Sequence, residues 1–213
     1  MRVYYGGEDV VTKSIAKRLV QSWAYNHDKK KIECVDLNIR ASGRAVLSQL
    51  NNIILLGKKT PVVFVLDSDQ DCAVDLLKKY CTERADDSYS TINIAIDEGE
   101  AWLLADKIGF SDFVGVKKST ISEDIYRGKE VATPYKTSLY IMMELVPVSK
   151  KKEIRNAMSV APNAKKPPTY NALLPDFIAD KWDVDRAQKH SESLSRAVRR
   201  VETKLNMYSI RKE

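Results

Sequence analysis

Apolar residues recur along this chain in two alternating rhythms. Residues 2–5 are a short β-prone run that stops at Gly6-Gly7. Val11, Ile15, Leu19 and Trp23 follow at steps of four, with Lys13, Lys17 and Arg18 between them, the stripe of an amphipathic helix. Residues 32–37 predict a second strand, Ser42-Gly43 a break, and residues 45–56 a helix. After Pro61, the unbroken run Val62-Val63-Phe64-Val65-Leu66 suits a strand buried on both faces of a parallel sheet. It ends in Asp67-Ser68-Asp69-Gln70-Asp71. Residues 73–82 read as a helix with Val74, Leu77 and Cys81 inward, residues 91–96 as a fourth strand, and the chain from Ala101 as another helix. The order β-α-β-α-β-α-β-α argues an α/β layered fold, a mostly parallel central sheet flanked by helices.

Beyond Asp106 the rhythm weakens. Residues 119–126 predict a short helix and 135–145 an apolar one, while 150–152 and 164–168 have the composition of surface loops. Residues 185–208 predict a helix with Leu194, Ala197, Val201, Leu205 and Tyr208 in one seam. Lys189, Arg196, Arg199, Arg200 and Lys204 stay off that seam. The expected organisation is an α/β domain over 1–148 and a basic, mainly helical C-terminal extension over 149–213, packed on the domain or continuing it.

Composition narrows the class. At 44% hydrophobic, the 213 residues suffice for a core, and 8 Gly with 7 Pro exclude collagen-like and low-complexity chains. No apolar run approaches the roughly 20 residues of a membrane span. Met1-Arg2-Val3-Tyr4-Tyr5 leads into Gly6-Gly7-Glu8 without a signal-peptide pattern, so a soluble cytoplasmic protein without membrane contact is expected. Cys34, Cys72 and Cys81 form no C-x-x-C pair, and His27 and His190 are far apart, which disfavours zinc, disulfide and His-driven chemistry. The overall charge is +6 but uneven: residues 149–213 carry 15 Lys and Arg against 8 Asp and Glu, a net +7, leaving −1 for the rest. A carboxylate-rich body with a basic tail fits contact with phosphate. Arg196, Arg199 and Arg200 are therefore candidate nucleic-acid contacts; a solvated helix face partly paired by Glu192 and Glu202 is the plainer alternative.

The candidate chemistry is acidic. Parallel sheets gather ligands at the carboxyl ends of their strands, and Glu8, Asp67, Asp69, Glu98 and Glu100 fall there. Asp67-x-Asp69 directly after a buried strand can converge on a hard cation, and Mg²⁺ needs only one or two carboxylates with waters. Turn formation by Asp and Ser, and helix-dipole compensation by Glu8 and Asp9, are the structural alternatives. An EF-hand fails because Cys72 stands where Gly is required and Lys78 where the bidentate Glu is required. A haloacid-dehalogenase-type site would need Thr or Val in place of Asp71. Asp106 is expected to face solvent.

Glu in the first β-α turn, D-x-D after the third strand, and Glu100-Ala101-Trp102-Leu103-Leu104-Ala105-Asp106 together resemble the Toprim fold of topoisomerases, primases and OLD-type nucleases. The last segment is similar to the E-A-W-L-L-A-D motif of a Toprim-like bacterial family often encoded beside ABC- or AAA-type ATPases in anti-phage loci. The resemblance covers about residues 1–145. The first turn departs from the usual Glu-Gly-x-Thr-Glu, reading Gly6-Gly7-Glu8-Asp9-Val10-Val11-Thr12. The resemblance implies a Toprim-like fold and a nuclease or related phosphoryl-transfer protein. It implies Mg²⁺ or Mn²⁺ held by Glu8, Asp67, Asp69 and Glu100, with Glu8 a further ligand or general base. It implies a charge-offsetting lysine, for which Lys136 is the first candidate and Lys117 and Lys118 are rivals. It also implies nucleic acid, DNA in preference to RNA, as substrate, and an ATPase partner. A non-catalytic Toprim-like module that binds a partner protein or nucleic acid is the alternative.

Overall fold

Four parallel strands, the two at β3 and β4 buried almost throughout, organise the molecule. The computed structural model describes residues 1–27, 31–69, 71–83, 87–159 and 167–212; residues 164–166 of the expected loop at 164–168 lie outside them. The strands are β1 (Arg2–Gly7), β2 (Glu33–Asp36), β3 (Val62–Asp67) and β4 (Ser90–Ala95), ordered β2-β1-β3-β4. Every pairing is parallel, with Tyr5 beside Asp36, Gly7 beside Val65, and Asp67 beside Ala95. The helices are α1 (Val10–Asn26), α2 (Leu50–Gly57), α3 (Ala73–Tyr80), α4 (Gly99–Ala105), α5 (Lys107–Val114) and α6 (Thr137–Tyr140). They continue as α7 (Lys152–Met158), α8 (Pro168–Asp180), α9 (Val184–Ala187) and α10 (Glu192–Lys212). The fold is thus α/β, a four-stranded parallel sheet flanked by helices and closed by a long C-terminal helix. No described helix is long and apolar enough to cross a membrane.

The sheet separates two apolar clusters, as the period of two requires. Val3, Val63, Val65 and Ala95 face one side, with buried residues of α1, α4, α8 and α10. Phe64, Leu66, Ile92 and Ile94 face the other, with α2 and Leu76 of α3. Val11, Ile15, Leu19 and Trp23 are buried along α1 as their spacing predicts. Asp9 starts that helix through a capping box: its Oδ1 accepts from Thr12 N at 2.8 Å, and Thr12 Oγ1 accepts from Asp9 N at 3.0 Å. Gly7 permits the tight approach of β1 to α1, since a Cβ there would stand 2.4 Å from Lys13 N. The residues after 149 share the core. Leu194, Ala197, Val201, Leu205 and Tyr208 are buried along α10. Trp102 Nε1 donates to Ser193 Oγ at 2.8 Å, and Trp182 Nε1 donates to the Trp102 carbonyl at 3.2 Å. Each fully buried large apolar side chain contributes about 1.5–3 kcal/mol.

Several elements differ from the sequence expectation. Residues 45–56 begin as a 3-10 turn, Gly43–Gln49, before α2. In α3 Leu76 is the buried residue and Val74 faces solvent, so the inner face is rotated from the expected one. Residues 119–126 form two 3-10 turns, Lys118–Thr120 and Glu123–Tyr126, and residues 135–145 form α6 followed by a π-helical turn, Ile141–Leu145. Helix α7 starts within the expected loop at 150–152. Residues 185–208 divide into α9 and α10, with a break before Ser191. Glu130 secures the second start, accepting from Ser193 N at 2.5 Å and from the hydroxyls of Ser191 and Ser193 at 2.6 and 2.8 Å.

Candidate functional site

Parallel strands bring their carboxyl ends to one rim, and the turns leaving β1, β3 and β4 place Glu8, Asp67 and the Asp97-Glu98-Gly99-Glu100 segment there. Asp67 is the last residue of β3, and its Oδ1 accepts from Gly99 N at 2.7 Å. Burial holds the Asp67 carboxyl well above the usual range, reinforced first by Glu100 and then by Glu8 and Asp9. Glu8 rises from an ordinary 4.5 to about 7, again mainly through burial and then through the charges of Asp9 and Asp69. Polar contact with the Asp67 backbone and then its carboxyl works against that rise. Neither Glu8 nor Asp67 has an ion-pair partner among the described residues.

Glu100, in the first turn of α4, is 1% exposed. Its Oε1 accepts from Tyr170 Oη at 3.1 Å. Burial first, and Glu100 second, push the Tyr170 hydroxyl well above its usual range, so it stays a donor. Asp69 departs from the strand with φ +51°, and its N–H donates to the Asp97 carbonyl at 2.8 Å. That bend turns its carboxylate to Lys136, whose Nζ is 2.6 Å from Oδ1, with Arg44 Nε 3.8 Å from Oδ2. Lys136 Nζ also stands 3.9 Å from Glu98 Oε1. The hydrogen bond to Asp69 raises the Lys136 pKa, keeping it charged.

Asp97 and Glu98 have a part that sequence reasoning missed. Asp97 Oδ2 accepts from Thr137 N at 2.9 Å and Thr137 Oγ1 at 2.7 Å, and Glu98 Oε2 accepts from Ser138 N at 2.8 Å. The two acids thus grip the residues just after Lys136 and hold that lysine at the rim. The Thr137-Ser138 donors were the available signal. Lys117 and Lys118 lie exposed in the turn after α5. Arg196, Arg199 and Arg200 lie beside Thr91 and Ile92. Thr91 is four residues of strand before Ala95, about 13 Å at ~3.3 Å per residue, so these arginines stand apart from the rim.

Asp106 corrects the expectation of a solvent-facing residue. It is 1% exposed, and Arg186 clamps it with Nε 2.7 Å from Oδ1 and Nη2 2.9 Å from Oδ2. It also accepts from Gly109 N at 3.1 Å, capping α5, and from Asp183 N at 3.0 Å. Its role is to tie α4, α5 and α9 together.

Among the described residues no three His, Cys, Asp or Glu side chains are arranged to hold a metal ion between them. The partners already named explain this: Asp69 is drawn to Lys136 and Glu100 to Tyr170. Glu8 and Asp67 remain as neighbouring carboxyls without a direct ion pair among the described residues, the Arg44 guanidinium acting on Glu8 only at longer range. Their chemistry fits a hard divalent cation that keeps most of its waters. Comparison with known proteins returned no matching family model, no matching curated sequence and no matching solved structure.

Proposed function

We propose that this chain is a divalent-metal-dependent phosphoryl-transfer protein with a Toprim-like fold, a nuclease acting on nucleic acid, DNA in preference to RNA. The supporting observation is the Glu8–Asp67 pair, half-buried among like charges and without a direct ion pair among the described residues, on the same rim as the ammonium of Lys136. Glu8 and Asp67 would hold Mg²⁺ or Mn²⁺, with Asp69 and Glu100 adjoining. The ion supplies polarisation of a phosphate oxygen and activation of water. Where Asp67 alone holds the ion, Glu8 beside it would be the general base for the attacking water. Lys136 offsets charge developing on the phosphodiester, and Asp69 and Asp97 position it. On the resemblance, the proposal extends to an anti-phage setting with an ABC- or AAA-type ATPase as partner.

The test is cleavage of labelled single- and double-stranded DNA and RNA with Mn²⁺ or with EDTA, using the native protein and Asp67→Asn. Mn²⁺-dependent cleavage lost in the variant supports the reading. Cleavage that survives in EDTA or in Asp67→Asn contradicts it. The second reading, a non-catalytic module binding a protein or nucleic acid, draws support from the missing three-ligand set and from the fold-holding bonds of Asp97 and Glu98.

A further inference from the structure

A second concave site lies at the other half of β4. Between α10, the helices α2 and α3, and the first residues of this edge strand there is a cavity of about 680 Å³. That size is within the roughly 300–1,000 Å³ of small-molecule sites. Ile54, Leu77 and Ile92 give it an apolar side, and Arg196, Arg199 and Arg200 a cationic one.

The cations there are poorly compensated. Arg200 Nε donates to Asn93 Oδ1 at 3.2 Å, and Arg199 Nη1 to Ser195 Oγ at 3.3 Å. Both acceptors are neutral, and neither guanidinium has a carboxylate partner among the described residues. Arg196 has Glu192 at 3.3 Å. Glu83 also lines the cavity but is taken by Lys58 at 3.1 Å. Like charges three and four residues apart on a helix repel. Arg200 remains open to solvent, yet desolvation by its surroundings, then Arg196 and Arg199, pull its pKa below the usual value. Asn93 is fixed in turn, its amide donating to the Phe64 carbonyl at 3.2 Å and to Thr91 Oγ1 at 3.0 Å. Its oxygen is thereby aimed at Arg200 before any ligand arrives.

We propose that this cavity binds a phosphate monoester carrying an apolar or aromatic body, a ligand of mononucleotide size. The phosphate sits on the three guanidinium groups, whose planar forks suit a multidentate oxyanion. The body lies against Ile54, Leu77 and Ile92. This chemistry comes from a free mononucleotide or from the 5′-phosphorylated end of a strand. The site is independent of the metal proposal, being separated from the rim along β4.

Calorimetric titration in EDTA, which silences any metal at the rim, tests it with AMP, adenosine and inorganic phosphate. AMP is expected to bind at least about tenfold more tightly than either fragment, and Arg199→Ala or Arg200→Met to weaken it about tenfold or more. Among the described residues the Arg199 side chain bonds only to a serine on its own helix, so its variant keeps the fold, which circular dichroism verifies. No AMP binding by the native protein, equal binding of phosphate and AMP, or undiminished binding in both variants overturns the proposal. Competition by a 5′-phosphorylated dinucleotide stronger than by AMP and absent with its 5′-hydroxyl form assigns the source as a strand end. Stronger competition by AMP assigns a free nucleotide. Either result supports the phosphate-monoester site.

Discussion

Asp106 is a fully buried aspartate and Asp67 a half-buried one, and their surroundings differ. Asp106 carries its counter-ion with it: Arg186 grips both oxygens, and two backbone amides complete the shell. Asp67 has one backbone amide, Gly99, and faces the carboxyls of Glu8 and Glu100. A chain that builds a complete shell around one buried carboxylate and leaves the other among like charges uses them differently. The first is fold; the second carries the proposed cation site. The same logic separates the arginines, with Arg186 paired and, among the described residues, Arg199 and Arg200 bonded only to neutral oxygens.

The largest effect is expected at the compensated site. Asp106→Ala takes the acceptor from the Gly109 and Asp183 amides, uncaps α5 and leaves Arg186 only its pair with Asp183, and is expected to cost about 2–4 kcal/mol in urea denaturation. A loss below about 1 kcal/mol would erase the contrast, since the shell would then contribute little.

Glu8→Gln is expected to act in the opposite direction. The folded-state pKa of Glu8, about 7, lies above its ordinary 4.5. The folded protein therefore holds more protons across that window, and stability falls as pH rises from about 4.5 to about 7. Glu8→Gln is expected to reduce that slope, to which the raised Asp67 carboxyl also contributes, and to stabilise the metal-free protein at pH 8 by about 1–2 kcal/mol after allowance for solvent screening. Thermal melts from pH 4.5 to 8 in EDTA measure it, and an unchanged slope would show that Glu8 is already compensated.

How far these roles were readable in the sequence depends on where each partner lies. Glu8, Asp67 and Glu100 each follow a recognisable strand, so their arrival at one rim is legible from the β-α rhythm. The partner of Asp106 is not, because Arg186 lies 80 residues away on a four-residue helix with no periodic signal. Tyr170 is hidden similarly: α8 contains Pro175, which interrupts the pattern a helix is read from, although the helix continues through it. Val74 misleads because α3 is only eight residues long, too short for its apolar stripe to define a face. The concave setting of Arg199 and Arg200 depends on how α10 docks beside β4, which no local pattern encodes.

The smallest stability effect is expected at Lys136. Its ion pair with Asp69 is well exposed, so Lys136→Ala is expected to change stability by less than about 1 kcal/mol. Under the proposed function it lowers Mn²⁺-dependent cleavage by at least about tenfold. A large loss of stability with unchanged cleavage would make Lys136 part of the fold and not of the chemistry.

The most direct measurement is the melting temperature of the native protein as Mn²⁺ is added, compared with Asp67→Ala. An ion bound only by the folded state stabilises by about 2.7 kcal/mol at a hundred times its Kd. The account expects a saturable rise in the native protein and none in Asp67→Ala. A flat native curve, or an equal rise in both, would contradict a cation site at Glu8 and Asp67.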